Sequence, residues 1–299
     1  MWAYHGSSEF NLLALPYILL TCVDLALIAV SAILDLVTQS YDPKKDDPFV
    51  ISPSRVDLTK VEATTYYGSK SKVLSLKTPT GTKCLINFVV GAVISCNIHN
   101  AAPFRGNKSV KQILLVPLRG EWERALSLYG MAFGASSVGI NTYSILLADN
   151  ERLNGLSLRT IPIGGESQST RRALPGMGFM PRKAAAKPQG EKLTGGSSAS
   201  GRSLLKMRDK TAWAATDKIP LWDGREYFKK NKLASNKFKH ELVHTLPSFK
   251  MDLSFGDIAL VYYSVSNFGS GKSEAHTVAD ESLSLNLYGV VLIAEVSHT

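Results

Sequence analysis

The sequence is poor in the features that mark secreted scaffolds. It has only three cysteines, Cys22, Cys84 and Cys96, which leave one thiol over and show no metal-ligand spacing. A secreted disulfide scaffold is therefore disfavoured, and a reducing, intracellular setting is expected. No Lys or Arg precedes Lys44, so the positively charged region that opens a secretory signal is missing.

The sequence also lacks most catalytic signatures. No G-x-S-x-G nucleophile motif occurs, and no pair of carboxylates stands out. The run Gly269–Ser273 resembles the end of a phosphate-binding loop, but Ser266 stands where the first glycine is required, so a hairpin loop is favoured. We therefore expect no enzyme, no cofactor and no bound metal.

One catalytic motif is present and keeps a zinc-dependent hydrolase open as an alternative. His240, Glu241 and His244 form an H-E-x-x-H, which on an α-helix would put two imidazoles on one face with a glutamate as general base. The flanking Lys237 and Lys239 instead favour a basic amphipathic surface helix, predicted to run over Arg225–Thr245.

Positive charge is concentrated in one stretch, residues 171–210, which we call the basic segment. It holds ten cations and two carboxylates, a net charge of +8, whereas the whole chain carries +9. Pro, Gly, Ser and Ala fill the remainder, which predicts a flexible tether. Gathered cations favour binding to polyphosphate or to an anionic lipid surface, although a linker that is basic for solubility is the alternative. The cations are Arg171, Arg172, Arg182, Lys183, Lys187, Lys192, Arg202, Lys206, Arg208 and Lys210.

Aromatic and basic residues alternate just after the basic segment. Trp213, Trp222 and Phe238 lie among lysines that include Lys229 and Lys230. Stacking rings beside cations are typical of proteins that hold single-stranded nucleic acid without sequence preference. The alternative is that the rings anchor this region to a β core while the lysines face water.

The amino-terminal region is apolar. Residues 12–34 are long enough to cross a bilayer, but Asp24 lies at their middle. Polar side chains would form one narrow stripe on a helix there, which favours a helix packed against protein or against a second copy of the chain. Membrane association and an uncleaved signal remain alternatives.

The body of the chain has the period of β-strands. Apolar residues occupy every even position over Lys83–His99, which predicts a long strand with one buried face, bent or bulged at Gly91. Similar alternation follows residue 251 and residue 283. The predicted fold is mainly β, an antiparallel sandwich or jelly-roll-like body. Its parts are an apolar helix (1–40), the first part of the body (41–170), the basic segment as an inserted disordered loop (171–210), and a helix with the second part of the body (211–299).

Two stretches give the chain a resemblance to a known family. The first runs from Gly120-Glu121-Trp122 to a strand that ends Leu146-Leu147-Ala148-Asp149 and is followed closely by Arg152, and the second is the apolar strand at 251–263. Together they resemble the thirty-kilodalton superfamily of plant viral movement proteins, with Asp149 as the family's aspartate. The resemblance implies a β-rich protein that binds single-stranded nucleic acid cooperatively and associates with membranes at plasmodesmata.

Two functions fit these observations besides the zinc hydrolase. The first is a viral transport protein for cell-to-cell movement that binds single-stranded nucleic acid, with RNA expected, and that forms homo-oligomers. The second is a viral matrix or capsid subunit in which the basic segment neutralises packaged nucleic acid, and which would be found in the virion. Both predict binding that weakens with salt.

Overall fold

The computed structural model describes residue 36 and residues 50–65, 71–78, 81–117, 121–146, 152–164, 212–229, 238–267 and 281–296. Of the predicted amino-terminal helix it describes only Leu36, which is helical and buried in the core. The rest of that helix, the basic segment, the loop 268–280 and Asp149 lie outside the described residues.

Strands dominate the described part of the chain. In chain order they are β1 (Val50–Ile51), β2 (Val61–Thr65), β3 (Lys72–Thr78), β4 (Gly81–Cys84), β5 (Ile86–Phe104), β6 (Lys108–Pro117), β7 (Val138–Ile140), β8 (Thr142–Leu146), β9 (Arg152–Arg159), β10 (Leu221–Asp223), β11 (Ile258–Asn267) and β12 (Glu281–Ala294). The helices are α1 (Glu121–Phe133) and α2 (Arg225–Phe228), with short 3₁₀ helices at Pro53–Arg55, Leu58–Lys60 and His240–Thr245.

Five strands close into a ring. Strand β5 pairs with β6, β6 with β9, β9 with β12, β12 with β11, and β11 again with β5. Only the β9–β12 pair in this ring is parallel. The sheet is therefore a closed barrel. Strand β5 has two neighbours in this ring because it is 19 residues long: it pairs with β11 near its start and with β6 further along.

At one level of the ring its two faces differ in polarity, as alternation along each strand allows. One face carries a continuous buried apolar row across all five strands: Cys96, Ile113, Leu158, Leu285 and Val265. The neighbouring row on the other face is polar: Asn97, Gln112, Arg159, Asn286 and Ser264. Because every member of the apolar row is buried, whereas Asn97, Gln112 and Arg159 of the polar row are only half-buried, we infer that the apolar row faces the interior of the barrel.

Helix α1 packs on the barrel through one apolar stripe. Trp122, Ala125 and Tyr129 follow one another at helical spacing and are all buried. The Tyr129 hydroxyl lies 2.7 Å from that of Tyr263 on β11, so each buried hydroxyl has a partner. Burial raises the pKa of Tyr129 well above its usual value, and therefore the pair stays protonated at neutral pH.

The mainly β prediction is confirmed. Two local patterns are confirmed as well: the sequence predicts a helix over Glu121–Met131, which is α1, and a turn at Thr78–Gly81 after a strand over Lys72–Lys77, which joins β3 to β4. The barrel also contains parallel pairs that the antiparallel prediction did not include. Strand β9 was not predicted. The sequence pattern also predicts a strand over Val56–Glu62, but β2 begins only at Val61 because two 3₁₀ turns precede it. The prediction of one long helix over Arg225–Thr245 is wrong, since α2 ends at Phe228 and the described part beyond it is a 3₁₀ helix.

The sequence pattern predicts a bend or a bulge at Gly91, and no bulge lies there. The irregularities of β5 fall between Val93 and Ser95 and again after Asn97. Gly91 instead allows two backbones to approach, because a Cβ built on it would lie 2.1 Å from the carbonyl oxygen of Val116. A glycine with this role leaves the strand period unchanged, so the sequence pattern cannot separate it from a glycine at a bulge.

Candidate nucleic-acid interface

The described chain on either side of the basic segment pairs with the barrel at one place. The chain before it pairs with the start of β6, where Ser109 and Ile163 exchange backbone hydrogen bonds of 2.7 and 3.0 Å. The chain after it returns to the same strip, since the amide of Ile161 donates to Trp213 at 2.7 Å and the amide of Ala215 donates to Ile161 at 3.1 Å. The ten cations therefore join the barrel through neighbouring backbone segments.

Ordered cations surround an aromatic ring beside this attachment. We call Phe104, Arg105, Lys108 and Arg159 the rim cluster. Phe104 and Lys108 are directly paired at the end of the β5–β6 hairpin. The guanidinium of Arg159, at the end of β9, lies 4.9 Å from the centre of the Phe104 ring, and that of Arg105 lies 6.0 Å from it. Arg105 and Lys108 are exposed, while Phe104 and Arg159 are half-buried.

The rim cluster concentrates positive charge in a partly desolvated position. Burial lowers the pKa of Arg159, and the nearby charge of Arg105 lowers it further. Arg159 still carries its proton at neutral pH, because an arginine pKa starts far above that range. Among the described ion pairs, none engages Arg105 or Lys108, so both can approach an anion.

A fourth cation nearby has a structural role. Lys111 is buried at 9% exposure, and its Nζ donates to the carbonyl oxygen of Asp217 at 2.8 Å. This bond ties the β6 strand to the chain that follows the basic segment. Burial lowers the pKa of Lys111, and the nearby carboxylate of Asp217 opposes that shift.

The predicted stacking residues Trp213 and Trp222 do not lie on a surface. They are 4% and 6% exposed, so the prediction that they stack on bases is wrong in this structure. Trp213 packs beside Tyr288 with ring centres 6.0 Å apart, and Trp222 fills the space left by Gly289, where a Cβ would come within 2.8 Å of the indole. Both rings cover strand β12 and anchor the region to the core, as the alternative interpretation held.

The remaining predicted residues divide among the core, the surface and the part of the chain outside the described residues. Phe238 is buried against Tyr227 and Phe228. Lys229 is exposed and forms an ion pair with Glu226. Lys230, Asp149 and the ten cations of the basic segment are outside the described residues, although the antiparallel strands β8 and β9 flank Asp149.

The H-E-x-x-H motif does not lie on an α-helix. His240 to Thr245 form a 3₁₀ helix, in which residues four apart point about 120° away from each other. The ring of His240 packs against Phe88 and Phe238 at 4.6 and 5.3 Å, and its Nδ1 shares a 2.8 Å hydrogen bond with Tyr262. Burial lowers the pKa of His240 to about 3, which keeps the ring neutral and part of the core.

We expect the purified protein to contain no stoichiometric zinc, because His240 and His244 diverge in the 3₁₀ helix. Glu241→Gln should leave nucleic-acid binding unchanged. Elemental analysis of protein purified without chelators, together with a binding titration of the variant, tests both statements. One zinc per chain that disappears in His244→Ala would contradict this expectation and restore the hydrolase hypothesis.

The described part of the chain has neither a metal-binding cluster nor a membrane-crossing helix. No three His, Cys, Asp or Glu side chains within it lie close enough together to hold a metal ion. No helix within it combines the length and the apolar character that a membrane crossing requires.

The rim cluster was missed at the sequence level for a topological reason. The run Phe104 to Lys108 is a visible signal, an aromatic residue and two cations around a Gly-Asn turn. Arg159 lies 55 residues after Phe104 in the chain, counted as 159 minus 104, and only the β6–β9 pairing brings it there. No family model, curated protein or solved structure matches this chain.

Proposed function

We propose that this protein binds single-stranded nucleic acid without sequence preference and serves in its transport between cells. The observation that carries the proposal is the charge of the basic segment, +8 of the chain's +9, on a loop whose ends attach beside the ordered cations of the rim cluster. Gathered cations bind a phosphate backbone by releasing its condensed counterions.

The connectivity of the barrel supports binding to an oligonucleotide. When the five ring strands are numbered along the chain, their order is 1-2-3-5-4 and the fourth pairs with the first, with the third and fifth parallel. OB-folds are five-stranded Greek-key barrels that bind oligonucleotides on the face of their second and third strands and on adjoining loops. Here Arg105 lies in the loop between the first two ring strands and Arg159 on the third. This is a likeness of fold, and the function is argued from the cations.

The transport role draws on the resemblance to the plant viral movement proteins. It rests on residues 120–152 and 251–263, which in the described part belong to helix α1, strands β7 and β8 and the start of β11. A movement protein must coat a genome whatever its sequence. Contacts to phosphates, which carry no sequence information, suit that task.

A salt titration tests the proposal directly. We expect the purified chain to bind an oligouridylate of about sixteen nucleotides with a slope of log affinity against log salt of about −6 to −8. The basic segment contributes about −4 to −6 of this slope, from about six to eight neutralised phosphates at about 0.7 each on a single strand, and the three rim cations contribute about −2. Affinity that is absent, or that does not depend on salt, would refute the proposal. Ordered shells or lattices of the protein with RNA, seen by electron microscopy, would instead favour the matrix or capsid role.

A further inference from the structure

Two arginines share one phenylalanine ring in the rim cluster, although their like charges repel. The cation–π contact with Phe104 holds the Arg159 guanidinium in place, and the burial that accompanies it removes part of the water that would screen its charge. Arg105 adds a second guanidinium on the same ring, and Lys108 stands directly across the hairpin from Phe104. Anions bound beside these groups would relieve their repulsion, and phosphate oxygens accept hydrogen bonds from both guanidinium and ammonium groups.

The neighbours of the cluster favour a nucleotide as the source of that phosphate. Gln112 is paired with Arg159 across β6 and β9, and Asn97 is paired with Gln112 across β5 and β6, so the three side chains form a row on one face of the barrel. Both amides are half-buried rather than covered. An amide both donates and accepts hydrogen bonds, as the edges of bases require. In this row Arg159 is therefore suited to bind a backbone phosphate, and the amides of Gln112 and Asn97 are suited to bind the base beside it.

We propose that the rim cluster is the ordered binding site for the backbone of a single strand, at the point where the strand passes from the basic segment onto the barrel. In this arrangement Arg105 and Lys108 bind consecutive phosphates, and Phe104 positions Arg159 to bind beside them. The ordered contact would set the polarity and path of a strand that the basic segment alone could hold in many ways. This inference rests on the proposed function and assigns it a place on the folded body.

A pair of double variants of equal charge tests the inference. Arg105→Gln/Lys108→Gln removes two exposed cations from the rim cluster, and Lys60→Gln/Lys83→Gln removes one half-buried and one exposed lysine near the opposite end of β5. With the same oligouridylate, we expect the first variant to lose about 1.4 from the salt slope. At about 0.1 M salt, one decade below the roughly 1 M at which counterion release contributes nothing, that corresponds to binding about 25-fold weaker. The control variant should keep its slope and bind within about threefold of the unaltered protein.

Phe104→Leu extends the test without changing the charge. It should weaken binding because Arg159 loses the ring that positions it, while the folded state, checked by circular dichroism, remains. Equal slopes for the two double variants would overturn the inference and leave the proposed function standing. An unaltered protein that fails to bind the oligouridylate at all would refute the proposed function itself. If the rim variant lost affinity only for vesicles of phosphatidylcholine and phosphatidylserine, the site would belong to lipid headgroups and the inference would fail.

Discussion

Replacing the ten Arg and Lys residues of the basic segment by Gln should weaken binding to single-stranded RNA by about a thousandfold or more near physiological salt. Most of the salt slope should disappear with it. If about six to eight of these cations contact phosphates at once, they account for a slope of about −4 to −6, and each loses its contribution when its charge is removed. Fluorescence anisotropy over a range of salt concentrations measures both quantities.

The residual affinity of that variant distinguishes two kinds of contact. Trp213 and Trp222 cannot supply it by stacking, because both rings are buried against β12. We expect instead that log affinity falls with log salt with a shallow slope of about −2. Each of the three rim cations Arg105, Lys108 and Arg159 contributes about −0.7 to this slope. The midpoint of thermal unfolding should change little, since the segment's composition predicts no core of its own.

Two controls make the result specific to charge. Replacing the five arginines of the segment by lysine keeps every charge and should keep the slope, because the segment is expected to act through counterion release and not through the geometry of the guanidinium. Binding to a duplex of the same length reports whether the strand must be single. A neutral segment that binds with an unchanged slope would show that residues 171–210 are only a linker, and would place the whole site on the folded body.

The sequence contains enough information for the fold class but not for the closure of the barrel. Alternation in β5 and β12 predicts strands because the barrel interior selects apolar residues at every second position. In the first half of β5 and through most of β12 the other face is buried as well, which the simple pattern of one buried face does not anticipate. The β5–β11 and β9–β12 pairs join strands that are far apart in the chain, and no local pattern encodes such a pairing.

The candidate site was predictable only where its chemistry is local. The basic segment is visible in the sequence because its net charge follows from its composition alone. The tryptophans were misassigned because an aromatic ring among lysines looks the same whether it faces a base or the core. Trp222 is buried because Gly289 leaves space for its ring. This role of Gly289 becomes visible only once β10 is placed beside β12. Arg159 joins Phe104 through strand pairing alone.

Gly91→Ala should destabilise the protein by about 3 kcal/mol, among the largest effects expected of a single methyl group. The added Cβ would lie 2.1 Å from the carbonyl oxygen of Val116, 2.8 Å from its carbonyl carbon and 2.9 Å from the Cα of Pro117. All three are backbone atoms, and a Cβ has no rotamer by which to avoid them. Strands β5 and β6 must therefore separate at this pair, and the ladder next to it must lengthen. Chemical denaturation followed by circular dichroism measures the change.

Gly155→Ala provides the matched control, because it adds the same methyl group to another strand of the barrel. Its Cβ would meet the Cδ1 of Ile94 at 2.4 Å, the far end of a side chain that can rotate away, and the nearest backbone atom only at 3.2 Å. We expect a loss of about 1 kcal/mol there, a third of that at Gly91. Equal midpoints for Gly91→Ala and the unaltered protein would mean that Gly91 does not face Pro117. The β5–β6 register would then be wrong, and with it the placement of Phe104 opposite Lys108 in the rim cluster.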